Sequence, residues 1–236
     1  MRLGIEPQSL LAYVEAPASD RPDHASPRLR AYLLLEVIVF FVGLPAAYCF
    51  GLLRIHPITL AIAVGSLIAI LIVIDRRFDN RTLWNAADLR VHLRSILLMF
   101  LPAAVGIIGL VGICDTARLF DLPRENPLLW LAILAGYPLL SVYPQELIYR
   151  AFFFHRYRSI FRAGWPMIVV SAAVFAFMHV IFQNPFAVGL TFVGGLLFAW
   201  RFHATRSLLV ATIEHSLYGV LMFSVGMARY FLYQGN

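Results

Sequence analysis

A helix that crosses a bilayer needs ~20 apolar residues in succession, and seven runs of about that length occupy nearly all of this chain beyond residue 30. They cover about 31–53, 57–75, 95–114, 128–152, 164–183, 185–203 and 206–228. Inside lipid no water satisfies a free backbone N–H or C=O, so runs of this length form helices. The expected fold class is therefore all-α, a polytopic membrane bundle of about seven helices. Composition agrees: 61% of the 236 residues are hydrophobic and 14% charged, against ~45–50% apolar and ~25% charged in soluble domains. Disorder is excluded, because it requires low hydrophobicity and high charge.

The charges carry the topology. All 19 basic residues are arginine, and the formal net charge is +6. Fourteen arginines fall in the N-terminal stretch and the even-numbered gaps, and four (Arg54, Arg118, Arg124, Arg229) fall on the other side. That asymmetry is a positive-inside signal and places the N-terminus in the cytoplasm. Because the arginines sit in short gaps between spans, the basic balance argues for a membrane and against nucleic acid as a partner. Residues 1–30, with Pro7, Pro17, Pro22 and Pro27, read as a cytoplasmic tail without a cleaved signal pattern. Residues 31–236 read as one integral membrane domain. The gap at about 76–94 is expected to form a short arginine-rich interfacial helix. Cys49 and Cys114 form no CxxC motif and read as small membrane-buried residues.

Ionisable residues inside spans are costly and are functional candidates by default. Glu146 and Arg150 are spaced i,i+4 and share one helix face, in the order that favours an ion pair. His179 and His215 lie in two further spans, Glu214 precedes His215, and Glu36 lies in the first run. Counted at 1.5 Å per residue from the cytoplasmic helix ends, Glu146, His179 and His215 lie at depths of ~16, ~22 and ~14 Å. Within a boundary error of ~3–6 Å the three depths agree, about the middle of a ~30 Å core. One carboxylate and two imidazoles meeting there suit hydrolysis: one group deprotonates water, and a neighbour holds that water or protonates the leaving amine. The same three side chains also form a set of ligands for a divalent metal such as zinc. Arg150 orients Glu146 and keeps it ionised.

The stretch PQELIYRAFFFHRY (144–157) resembles the first motif of the CPBP family of intramembrane proteases, relatives of the CAAX prenyl endopeptidase known in bacteria as Abi proteins. That motif has two glutamates, three residues and an arginine. Phe175 and His179 in VFAFMHV are similar to the second motif, and His215 in ATIEHSLYG to the third. The resemblance covers about residues 95–228. It implies an endopeptidase that cleaves membrane-associated or secreted proteins, with Glu146, His179, His215 and Arg150 as catalytic residues and either no cofactor or a divalent metal. A bacterial inner-membrane location fits the arginine-only composition.

Two positions depart from the pattern. Gln145 stands where the first glutamate, the family's water-activating group, is expected. Glutamine is no general base, so either Glu146 takes that role, a one-residue helix adjustment carries it into the pocket, or the chain is a non-catalytic scaffold or binding protein. Gly219 stands where an asparagine is frequent; Tyr218 or Asn184 would then supply the polar group for the substrate carbonyl. Glu214 reads as a supporting partner or alternative base. No GxSG, HExxH or intramembrane aspartate pair is present. A small transporter with a proton relay would call for similar halves with broken helices, which the sequence does not show.

Overall fold

A computed structural model describes residues 26–86 and 89–231. The expected tail, apart from residues 26–30, lies outside the described residues. Six helices are long and apolar enough to cross a membrane: α1 (Pro27–Cys49), α2 (Pro57–Ile74), α3 (Leu89–Cys114), α4 (Pro127–Arg156), α5 (Trp165–Phe182) and α6 (Pro185–Thr205). A seventh apolar helix, α7 (Leu208–Ser224), is shorter. The described residues contain no strand. The bundle is thus the all-α polytopic membrane fold that the hydropathy pattern implies.

Helix starts follow local chemistry. The side chains of Ser26, His56, Asn126 and Asn184 each accept a backbone N–H of the first turn, and proline follows each of them. Proline is suited to the first helical position, where its missing N–H has no intrahelical partner to lose. Ser207 caps α7 in the same manner. Gln183 and Arg206, at φ 52° and 48°, close the tight connections at the ends of α5 and α6.

The 76–94 gap departs from the expected interfacial helix. It holds one helical turn, Arg81–Trp84, and α3 already begins at Leu89. The cause is an anchor within the first turns of α3. The Ser95 hydroxyl donates to the His92 carbonyl (2.8 Å) and accepts from Arg201 of α6 (2.7 Å). Polar contacts of this kind draw the segment into the bundle.

The core lies between α2, α4, α5 and α6, where Phe153, Tyr157, Phe175, Ile168 and Ile72 are almost fully enclosed. Small residues set the helix spacing. A Cβ on Gly65 would lie 2.9 Å from Pro144 Cβ, so α2 approaches the first-motif segment of α4 as closely as two backbones allow. A Gly65→Val substitution should push α2 off α4 and cost about 1–3 kcal/mol. The loss would appear as a lower midpoint of thermal unfolding in detergent relative to Gly65→Ala.

Candidate active site

The first-motif segment sits in an irregular helix. Pro138 and Pro144 lack the N–H that would continue the regular ladder. Two wider π-type stretches, Pro138–Val142 and Leu147–Phe152, flank the single α turn Tyr143–Glu146. Such stretches re-aim the residues around them and are frequent at functional sites. Here they turn Gln145 and Glu146 to different surroundings. Gln145 lines a cavity of about 1440 Å³ together with Ser141, Tyr149 and His179. Glu146 is fully buried and is absent from the cavity wall. The helix adjustments therefore exist, but they present the glutamine to the cavity.

Glu146 joins a sealed cluster. His215 Nδ1–H donates to its Oε1 (2.9 Å), and Arg150 Nε lies 3.4 Å from its Oε2. Arg150, also fully buried, donates to the Ser171 hydroxyl (2.6 Å), which in turn donates to the Tyr149 carbonyl (2.7 Å). The guanidinium rests over the Phe175 ring at 5.1 Å, and the His215 imidazole stacks on Phe198 at 4.3 Å. Glu146 Oε2, Arg150 Nε and Arg150 Nη2 have no hydrogen-bond partner. The Arg150–Glu146 contact within α4 is an ion pair without hydrogen-bond geometry; Arg150 through Ser171 links α4 to α5, and Glu146 through His215 links it to α7.

His179 stands apart from this cluster. It ends the regular part of α5, where the helix tightens into a 3₁₀ turn over His179–Phe182. Its Nδ1 lies 2.7 Å from the Phe175 carbonyl. A carbonyl only accepts, so Nδ1 carries the proton and Nε2 carries the lone pair. His179 and Gln145 both line the cavity, and the Phe175 ring packs edge-on against His179 (4.7 Å) and His215 (5.6 Å). The structure thus brings Glu146, Arg150 and His215 into contact and places His179 and Gln145 on the lining of one cavity.

The expected metal set is not assembled by this arrangement. Among the described residues no group of three His, Cys, Asp or Glu side chains could hold a metal ion. His215 Nδ1 is occupied by Glu146, and His179 lies across Phe175.

The remaining candidates have other work. Asn184 Oδ1 caps α6 by accepting from Phe186 N (2.9 Å). The Tyr218 ring packs edge-on against Phe100 at 5.2 Å. Glu214 is paired through both oxygens with Arg201, at 2.7 and 3.0 Å, and both residues are buried. Gly219 has a physical explanation: a Cβ there would lie 2.4 Å from the Tyr137 hydroxyl. Tyr137 of α4 thus occupies the space beside position 219.

Three partners were not evident from sequence. Arg201 sits six residues before Ser207 and Glu214 seven after it. Opposite charges nearly equidistant from a tight helix–helix turn are the signal that identifies that pair. Ser171, a lone serine in its apolar run, and Tyr137, one of three tyrosines in its run, give no comparable signal.

At the arginine-rich end the cavity is ringed by charge. His155 Nε2 meets Asp75 Oδ2 at 2.8 Å, and Arg156 binds Glu36 through two contacts of 3.0 and 2.8 Å. The hydrogen bond from His155, with another from Arg77 N, holds the Asp75 carboxyl below its usual range.

Residues 126–221 match the family model described as type II CAAX prenyl endopeptidase Rce1-like. The resemblance carried by the three motifs is borne out. The matched segment holds Gln145, Glu146, Arg150, Phe175, His179 and His215, and it supports an intramembrane protease of CAAX type. The chain is thereby an integral membrane protein. No curated protein and no solved structure matches it.

Two predictions follow from the charge pairs. Glu214→Leu leaves Arg201 buried without its partner and should cost about 3–5 kcal/mol, whereas Arg201→Met/Glu214→Leu should recover most of that loss. Thermal unfolding of both variants in detergent measures the difference. Asp75 has a lowered folded pKa, so its contribution is present above the unfolded value of ~3.9 and is lost as pH falls through the folded value. Unfolding midpoints of Asp75→Asn and the unaltered protein should differ at pH 6 and draw together as the pH falls below the ordinary aspartate range.

Proposed function

We propose that this protein is an intramembrane endopeptidase whose hydrolytic water is activated at the polar floor of the cavity by His179. One observation carries this reading. The Nδ1–H···O=C bond to Phe175 fixes the tautomer, so the basic Nε2 remains for a reacting group on a wall shared with Gln145.

The chemistry follows from those two side chains. His179 Nε2 takes a proton from water as the oxygen attacks the scissile carbonyl, and the same nitrogen returns it to the departing amine. Gln145 Nε2 donates to Ser141 Oγ (2.8 Å), which holds the amide in place and turns its carbonyl oxygen to the task of accepting from that water. The amide positions water and does not deprotonate it. Glu146, Arg150 and His215 hold α4, α5 and α7 in register behind the wall, a positioning role that replaces the base role assigned to Glu146 by its spacing. The side chains do not fit a three-ligand metal site, and no step passes through a metal. The substrate is a peptide segment of a membrane-associated or secreted protein, and the membrane is the bacterial inner membrane.

A second reading has its own support. Gln145 in place of a carboxylate, with Tyr137 filling the space beside Gly219, fits a scaffold that binds a membrane peptide without cutting it.

Cleavage of a quenched peptide library by the purified protein in liposomes separates the two. Wild type should cleave slowly, and His179→Ala should lose ~10²–10⁴-fold. Gln145→Glu puts a carboxylate beside the His179 imidazole and should raise the rate by a comparable factor. If wild type and Gln145→Glu are both silent while binding the same peptides, the scaffold reading stands in place of the protease.

A further inference from the structure

The cavity extends well beyond what peptide hydrolysis requires. From the floor at Gln145 and His179 it runs between α1 and α2 to the arginine-rich end of the bundle. α1 packs chiefly against α5, and α2 chiefly against α4. Leu29 and Phe40 of α1, with Leu67 and Leu71 of α2, line the cavity and are 44–61% exposed. The cavity is therefore open sideways, toward lipid, along the seam between α1 and α2.

The two ends of this seam differ in chemistry. Along α2 the wall is apolar from Leu60 to Ile72. Twelve residues at 1.5 Å each make ~18 Å, close to one leaflet of a ~30 Å hydrocarbon core. Above it lie Arg77, Arg158 and Arg206. Of the acids on the same rim, Glu36 is taken by Arg156 and Asp75 by His155. Among the described residues of the rim, Arg77 and Arg158 outnumber the remaining acid, Asp79. A hydrocarbon-lined slot one leaflet deep, open to lipid and crowned by excess guanidinium charge, complements an amphiphile with an anionic head.

We propose that this seam is a binding site for an anionic phospholipid of the cytoplasmic leaflet. Its phosphate contacts Arg77 and Arg158, and one acyl chain lies between α1 and α2. Guanidinium groups pair with phosphate in planar, bidentate geometry, and basic pockets between helices on the cytoplasmic side suit such head groups. The chain in the slot occupies the lateral route to the floor, so an entering substrate segment displaces it. The site stands independently of whether the floor is catalytic.

The test is thermal unfolding of the purified protein in a neutral maltoside detergent, with phosphatidylglycerol or phosphatidylcholine added. A ligand that binds only the folded state raises the midpoint. Phosphatidylglycerol should raise it by ~2–4 °C and phosphatidylcholine should not. Arg77→Gln/Arg158→Gln should keep the detergent midpoint and lose the increment, while Arg77→Lys/Arg158→Lys should retain part of it. Should the double glutamine variant not fold, each single variant is expected to lose a part. Equal responses to the two lipids, or an undiminished response in the glutamine variants, would overturn the proposal. Glycerol phosphate tests the head group alone, and a shift matching that of the lipid would reassign the rim to free phosphate. A larger shift with an acidic peptide would reassign it to a protein segment.

Discussion

The structure depends on keeping every buried charge partnered where no water can serve. Three carboxylates within spans meet three arginines: Glu36 with Arg156, Glu146 with Arg150, and Glu214 with Arg201. Each pair joins different parts of the bundle or a helix to its neighbours through shared hydroxyls. Arg150 reaches Ser171 on α5, and Arg201 reaches Ser95 on α3. A lone charge at these depths is expensive, so the pairs permit few alternative registers. Helix packing in lipid lacks a hydrophobic drive between helices, and here polar pairs and close glycine contacts supply the specificity.

That requirement also separates the functional residues. The carboxylate of the motif is consumed in the sealed cluster with Arg150 and His215, while its glutamine neighbour faces the cavity. Successive helix residues point ~100° apart, so only one of two adjacent side chains can face the cavity. Had Glu146 faced the cavity, Arg150 would lack its counter-ion in the apolar interior. The electrostatics of the bundle thus favour the arrangement in which Gln145, not Glu146, faces the cavity.

Much of this was legible in the sequence. The seven apolar runs match the seven helices to within a few residues at most ends, because span length is set by membrane thickness. The shared depth of Glu146 and His215 followed from counting residues, and their contact bears it out. The orientation of Gln145 against Glu146 was not legible. It turns on two π-type stretches on either side of Tyr143–Glu146; the prolines mark the irregularity in the sequence but not which of the two neighbours it turns to the cavity. The early start of α3 was hidden for a similar reason, since Ser95 acquires its meaning only from Arg201, more than a hundred residues away. Tyr137 beside Gly219 is a matter of shape: a missing side chain on one helix admits a large one from another, and neither sequence position records it.

Specificity in this site therefore comes from partition. A buried polar cluster holds Glu146 and Arg150, Gln145 and His179 line the cavity, and the Phe175 ring packs against both histidines. Phe175 touches His179 on one side, His215 on another and the Arg150 guanidinium on its face. An aromatic ring suits this position because its face attracts the cation while its bulk excludes water from the ion pair. A smaller side chain would join the two compartments, admit water to Glu146 and loosen the pair that fixes α4. Phe175 thus belongs with the histidines because it packs against both of them and lies under the Arg150 guanidinium.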